Sequence, residues 1–261
     1  MSGNAPAATR AMGVLRVLAQ APGPVTAAAL GVALGLPRSS TYHLLTAMEN
    51  EGFVVHFPEE QRWGLGVTAF EIGAAYLRHE PLERLARPVL LRLVAQAGNS
   101  TPLAAHLGVL HGRETLYLLR ESTKRPITIV AEVGVRLPAS LTASGRAMLA
   151  QLPTAQVRAL FPNRSAFVDR TGIGPMSLPE LRRLLQEERN LGYSQERGMV
   201  TSGFSSVAVA VRDHNRRPVA SIGLTFPDGG ASAAQRSRLA AIALRAAVEL
   251  SRRIGMKEGS G

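Results

Sequence analysis

Between Thr26 and Gly52 the chain sets helix starters and helix stoppers at a spacing that leaves room for one compact arrangement. Thr26 is a residue type that caps a helix N-terminus, residues 27–34 form a helical run rich in alanine and leucine, and Gly35 is the type that closes a helix in the left-handed conformation. Two residues later Pro37 suits the first turn of another helix, running from Arg38 to about Asn50 and ended by Gly52. Leu30, Leu34, Leu36 and Leu44 fall where helices joined so tightly must pack on each other, and Gly31 is small enough to let them approach. Helix, glycine-containing turn and helix is the helix-turn-helix pattern. An earlier helix is expected from Arg10 to Gln20, where Met12, Val14, Leu15, Val17 and Leu18 recur near helical spacing before Ala21-Pro22-Gly23-Pro24 stops it.

After Gly52 the residues Phe53, Val55 and Phe57 alternate, Pro58-Glu59-Glu60-Gln61 turns, and Arg62-Trp63-Gly64-Leu65 returns. This is a pair of short strands, a wing beside the two helices. A further helix over Val67 to His79 carries Phe70, Ala74 and Leu77 on one side and Ile72 and Tyr76 on others, more apolar cover than a solvated linker needs. It is expected to link two domains and to meet a second copy of the chain. The plan is a tail over 1–9, a winged helix-turn-helix domain over 10–66, the linker over 67–80, a larger domain over 81–254 and a tail over 255–261.

The larger domain opens with an amphipathic helix, Leu82 to Ala97, kinked or broken at Pro88 and ended by Gly98-Asn99. Strands are expected at Leu103–Leu110, Thr115–Arg120 and Ile127–Glu132, followed by the segment Gly134 to Pro138. Helices are expected from Leu141-Thr142-Ala143-Ser144-Gly145 to about Gln151, from Thr154 to Leu160 and from Leu178 to Leu191. Strands at Ser205–Arg212 and Pro218–Phe226 around Asp213-His214-Asn215-Arg216, then a long helix from Ala231 to Arg253, complete an α+β fold on a largely antiparallel sheet.

Composition narrows the function classes. The 261 residues are enough for two domains, and a hydrophobic content of 46% is enough for a core in each. No run approaches the roughly 18 apolar residues of a spanning helix, and the first residues do not follow the pattern of a secretory leader. The expectation is a soluble, cytoplasmic protein. With no cysteine there are no disulfides, thiolate zinc sites, iron–sulfur clusters or cysteine nucleophiles, and no cofactor or metal is expected. Enzyme signatures are equally thin. There is no Gly-x-Ser-x-Gly elbow and no Gly-x-x-x-x-Gly-Lys loop, Gly172-x-Gly174 lacks a third glycine, and the six histidines never stand four apart on a helix.

The net charge of +11 invites a nucleic-acid reading, yet its location resists one. Residues 1–78 hold five of the 30 basic side chains and five of the 19 acidic ones, so the whole excess lies in residues 79–261. A generally arginine-rich composition is the plain alternative.

The run Arg38-Ser39-Ser40-Thr41-Tyr42-His43-Leu44-Leu45, then Leu65-Gly66 with Phe70-Glu71-Ile72-Gly73, the block Gly134 to Ala150, Gly192-Tyr193, and Gly203 to Val211 closed by Pro218 to Pro227 stand in one order over residues 10–250. In that order and at those distances they resemble the IclR family of bacterial transcription regulators. The resemblance implies a winged-helix DNA-binding domain, a dimerising linker helix, a PAS- or GAF-like effector domain, and assembly as dimers or pairs of dimers.

In a helix-turn-helix the first half of the second helix meets the base edges of double-stranded DNA. Here that half offers Arg38 to a phosphate or a guanine, and the hydroxyls of Ser39, Ser40 and Thr41 to phosphate or base. The hydroxyls have alternatives: Ser39 as a helix cap, Thr41 packed inward. His43 stands where the family usually has arginine. Arg62 in the wing and Thr26 at the head of the first helix complete the expected DNA-facing set. A neutral reading domain implies that two copies bind together, each on a half-site about one helical turn, roughly 34 Å, from the other, on a palindromic operator.

For the effector the resemblance implies a cup lined by Ile129, Leu137, Ala143, Ser144, Gly145, Ser206, Gly223 and Thr225. The N–H groups at a helix N-terminus would seat a carboxylate at Ala143-Ser144-Gly145, the hydroxyls of Ser206 and Thr225 would add bonds, and Ile129 and Leu137 an apolar wall. Ser144 as an ordinary helix cap and Thr225 as an ordinary strand residue are the alternatives. The family commonly carries an acidic pair after Gly192-Tyr193, of which Glu196 alone stands here. The expected effector is a small organic acid. A DNA-independent scaffold is the competing reading; it would explain the basic larger domain and leave the wing without a purpose.

Overall fold

A computed structural model describes residues 5–79, 81–97, 101–229 and 231–255, without the side chains of 74–79, Pro81 and Gly255. The expected terminator Gly98-Asn99, the linker side chains Ala74, Tyr76 and Leu77, and residues 256–261 of the expected tail lie outside the described residues. The chain divides between Glu80 and Pro81 into two compact units.

In the first unit α1 spans Pro6–Gln20, α2 Ala27–Leu34 and α3 Arg38–Asn50. α1 starts four residues before the expected Arg10, inside the stretch read as a tail, because Pro6 at its first position is already set to the helical φ. α2 is capped by Thr26 Oγ1, which accepts the Ala29 N–H at 3.3 Å. It is closed by Gly35 at φ 62°, with the Leu36 N–H reaching back to the Gly31 carbonyl at 2.9 Å. At Gly31 an added Cβ would sit 3.0 Å from Thr41 Oγ1 and 3.2 Å from the Leu36 carbonyl oxygen. A larger residue here would push α2 and α3 apart by a few tenths of an ångström.

The wing is β2 (Val54–Phe57) against β3 (Arg62–Leu65), and a two-residue strand too short to show a period, β1 (Val25–Thr26), pairs on the far side of β3. Val14, Leu18, Leu30, Leu45, Met48 and Trp63 fill the small core beneath. α4, Val67–His79, follows directly. Its Val67, Phe70 and Ile72 are exposed, Phe70 by 74%.

The second unit is a six-stranded antiparallel sheet in the order β6-β5-β4-β9-β8-β7. The strands are β4 (Ala104–His111), β5 (Glu114–Ser122), β6 (Arg136–Pro138), β7 (Ser194–Arg197), β8 (Phe204–Arg212) and β9 (Pro218–Pro227). Alternation sorts its two faces. Ala105, Leu107, Val207, Val209, Ile222 and Leu224 pack with α5 (Pro81–Ala97) and α9 (Ala233–Gly255). α5 runs unbroken through Pro88. The other face, with Gly108, Ala208 and Gly223, is crossed by the short helix α6 (Ala143–Leu149), beside α7 (Thr154–Leu160) and α8 (Leu178–Leu191). A Cβ on Gly223 would lie 2.7 Å from Ser144 Oγ, so α6 rests almost directly on the sheet.

Ile127–Glu132 is not a strand. Ile127, Ile129 and Ala131 do alternate inward, each 7–8% exposed, and the alternation is what reads as a strand in the sequence. The segment has no sheet neighbour, however, and its polar groups go elsewhere: the Ile127 carbonyl accepts from Arg120 Nη2 at 2.7 Å, and the Glu132 N–H reaches the Val130 carbonyl at 3.0 Å. β7 went unforeseen for the opposite reason, since Ser-Gln-Glu-Arg carries no apolar alternation.

Candidate functional site

The helix α3 is amphipathic about a single line. Thr41, Leu45 and Met48, three to four residues apart, are buried, while Arg38, Ser39, Tyr42 and His43 are exposed and Ser40 is half-buried. Thr41 therefore leaves the expected DNA-facing set. It is 1% exposed, donates its hydroxyl to the Pro37 carbonyl at 3.1 Å and lies against Gly31 across the corner. Ser39 caps nothing, because Pro37 holds the cap position and no side chain bonds there.

Tyr42, absent from the expected set, stands one turn from Arg38, whose guanidinium carbon lies 5.8 Å from the centre of the tyrosine ring. The i, i+4 spacing was the available signal. Arg62 and Thr26 face each other across β3 and β1, and Arg62 Nη1 donates to the Pro24 carbonyl at 2.9 Å. The Thr26 hydroxyl is occupied as the cap of α2.

In the second unit a cavity opens between the head of α6, the sheet and the irregular segment 127–135. Ile129, Leu137, Ala143, Ser144, Glu196, Ser206, Gly223 and Thr225 all line it. Gly145 does not. Its N–H is taken by Thr142 Oγ1 at 3.0 Å, and a Cβ added to it would lie 2.4 Å from the Ala139 backbone and 2.6 Å from Thr115 Oγ1, so it faces away from the cavity. Thr142, and not Ser144, is the cap of α6. Tyr117, Thr142 and Phe204 line the cavity and were not expected there; hydroxyls on a strand and at a helix head carry no mark in the sequence of the direction they face.

The polar floor is made of two groups, a pair of threonine hydroxyls and a second set gathered on a carboxyl. Thr115 Oγ1 and Thr142 Oγ1 are 2.9 Å apart, and Tyr117, Thr142 and Ser144 line the cavity together. Ser206 Oγ donates to Glu196 Oε1 at 2.9 Å and lies 3.0 Å from Thr225 Oγ1, while Glu196 Oε2 accepts the Met199 N–H at 3.0 Å. Burial raises the pKa of Glu196, opposed by these bonds and by the charge of Arg146, and burial raises that of Tyr117. The cavity measures about 30 Å3, about one water molecule's share of the liquid.

Arg146 holds this floor in place. It is fully buried, donates from Nε to Glu188 Oε1 at 3.0 Å and from Nη1 to the carbonyls of Ser140 and Leu141 at 3.0 Å, and reaches the Gln195 carbonyl through Nη2. The turn that launches α6 and the strand that carries Glu196 are thus tied to one guanidinium. Arg120 pairs with Glu132 and holds the Ile127 carbonyl, and the buried His106 ring stands edge-on to Tyr117, 5.2 Å between centres.

Residues 7–57 match the family model described as the IclR helix-turn-helix domain, and residues 74–252 match the bacterial transcriptional regulator IclR C-terminal domain. The chain belongs to the IclR family of bacterial transcription regulators. It is 28% identical over 251 residues to the transcriptional repressor IclR of Escherichia coli, covering 95% of this chain and 90% of that one. Among solved structures it is similar to an IclR regulator from Alicyclobacillus acidocaldarius, with a TM-score of 0.84 at 23% identity over 97% of this chain and 100% of the other. It is similar too to an IclR homolog from Microbacterium hydrocarbonoxydans complexed with 4-hydroxybenzoate, with a TM-score of 0.77 at 23% identity over 95% and 98%. This IclR chain has no helix, among its described residues, long and apolar enough to cross a membrane, and no cluster of side chains able to hold a metal ion.

Proposed function

We propose that this IclR regulator binds a palindromic operator as a homodimer or dimer of dimers, and that a small organic acid in the cup of the second unit controls that binding. The names of the relatives favour repression, and no catalytic role is assigned. The observation that carries the reading is the outward edge of α3, with Arg38, Ser39, Tyr42 and His43 exposed on a helix whose opposite face is locked into the core. Exposed Val67, Phe70 and Ile72 on α4 supply an apolar surface for the second copy.

The acid reading rests on the cup's chemistry. The phenol and hydroxyls of Tyr117, Thr142 and Ser144 are donors, and a Glu196 carboxyl held above its ordinary pKa can share a proton with a ligand carboxylate. The 4-hydroxybenzoate complex of the Microbacterium protein favours an aromatic member of that class. At about 30 Å3 the cavity must open to admit one, and segment 127–132, without a sheet neighbour, is the wall free to move.

A mobility-shift assay on the protein's own promoter DNA, with and without 4-hydroxybenzoate and related acids, tests both halves. Retarded DNA whose affinity changes with acid supports the proposal. Unretarded DNA overturns the first half, and retardation indifferent to every acid while neutral or cationic ligands act overturns the second.

A further inference from the structure

The second unit holds a hollow far roomier than the cup. On the far end of α6, between β8, α9 and the end of α8, lies a groove of about 440 Å3. Its walls are apolar, built from Val209, Ala247, Val248 and the Tyr193 ring, and Val248 is 43% exposed. Two guanidinium groups, Arg212 and Arg252, line the same groove, and among the described residues neither side chain has an ion-pair partner. The carboxylates that face it are already engaged: Glu188 by Arg146 and Ser194, Asp213 by the N–H groups of Asn215 and Arg217. His214 is bonded to Asn215.

We infer that this groove is a second small-molecule site, for an anion with an apolar body such as a medium-chain or aryl carboxylate. Its size falls within the roughly 300–1,000 Å3 of ordinary ligand pockets, and its composition, apolar walls with a few converging polar groups, is theirs. The charge complement is specific: two unpaired cations beside a hydrophobic wall suit a carboxylate head on an apolar tail, and oppose both a cation and a neutral oil. It also gives a use to part of the positive charge that the DNA-reading unit does not hold.

The groove is wired to the cup. Ala147 and Ala150 at the end of α6 line the groove while Thr142, Ala143 and Ser144 at its head line the cup, and Glu188 lines the groove and grips Arg146. The two hollows thus share α6, and an occupant of one that shifted this helix would change the affinity of the other. The existence of the groove site does not depend on what the cup binds.

The test is calorimetric titration of the full chain with sodium octanoate, with 1-octanol as the neutral control, and methyl-labelled NMR to place the ligand. Octanoate is expected to saturate, to move the Val209, Leu244 and Val248 methyl signals, and to bind about tenfold more weakly to Arg212→Gln/Arg252→Gln, the loss of roughly one charge-assisted hydrogen bond. Shifts confined to Ile129 and Leu137 in the cup, or octanol binding as well as octanoate, overturn the inference. So does a Val248→Glu chain that changes its sedimentation while the wild type takes up no octanoate, since the groove is then a contact between copies.

Discussion

Arg38 and Thr41 stand three residues apart on one helix and answer to different forces. Arg38 is exposed and Thr41 is buried against Gly31, so substitutions at the two should separate in assay. Arg38→Ala is expected to leave the melting temperature within a degree or two and to weaken operator binding by about 1–3 kcal/mol, the worth of a good contact to a base. Thr41→Ala is expected to cost about 1 kcal/mol of stability through its lost hydrogen bond and to spare the affinity of the folded protein. Paired denaturation and mobility-shift titrations check both.

His106 yields the clearest pH signature. It is 1% exposed with Nε2 unpartnered, and burial, assisted by the charge of Arg120 and opposed by the Ala131 bond, pushes its pKa from 6.5 down to about 3. A depressed histidine pKa stabilises the fold above about 6.5, and that stability drains as pH falls toward 3, at about 1.4 kcal/mol per pH unit once the unfolded imidazole is charged. Urea denaturation at pH 7 and pH 5 should therefore differ by about 2 kcal/mol, and His106→Leu should flatten the difference. Glu196 carries the opposite sign in the cup. Its raised pKa predicts that an anionic ligand binds more weakly as pH rises past the ordinary carboxylate range, and that Glu196→Gln removes the dependence.

Among the elements, α6 depends most on a residue outside ordinary packing rules. Arg146→Met would fill the space but strand Glu188, 3% exposed, without its cation. A loss of about 3–5 kcal/mol is expected from breaking a buried pair in this way. Pairing it with Glu188→Leu should recover much of that in thermal denaturation, since apolar replacement of both partners removes the uncompensated charge.

The helix α4 makes a different prediction. Phe70→Glu with Ile72→Glu changes side chains that are 74% and 55% exposed, so each unit should stay folded. Sedimentation should nevertheless show loss of the proposed dimer, and operator affinity should fall with it. A dimer undiminished by both changes would place the subunit contact elsewhere.

For the molecule as a whole, the uneven charge sets an expectation for DNA binding in salt. Arg38 and Arg62 are the two cations on the reading helix and wing, and the first 78 residues carry no net charge. The proposed dimer, using those four contacts, should show log affinity falling against log salt with a slope of about −4 or shallower. A steeper slope would mean that arginines of the larger domain also reach the phosphates.

The helix-turn-helix is legible in the sequence because each of its instructions is local: Thr26 caps, Gly35 takes a positive φ, and the apolar positions of α3 recur at helical spacing. Most of the cup's residues were legible only through likeness to a family, since hydroxyls and glycines on strands look alike whichever way they face. Local rules misled where long-range partners decide. Ile127, Ile129 and Ala131 alternate like a strand, yet a strand needs a neighbour with free N–H and C=O groups, and none lies beside them. Arg146 is one of thirty basic residues in the chain and looks like any surface arginine until α8 and β7 close around it. The direction of Thr41, the exclusion of Gly145 from the cup and the groove at the end of α6 belong to the same class. Each depends on which segments distant in sequence come to lie together, and burial and polar satisfaction are settled only there.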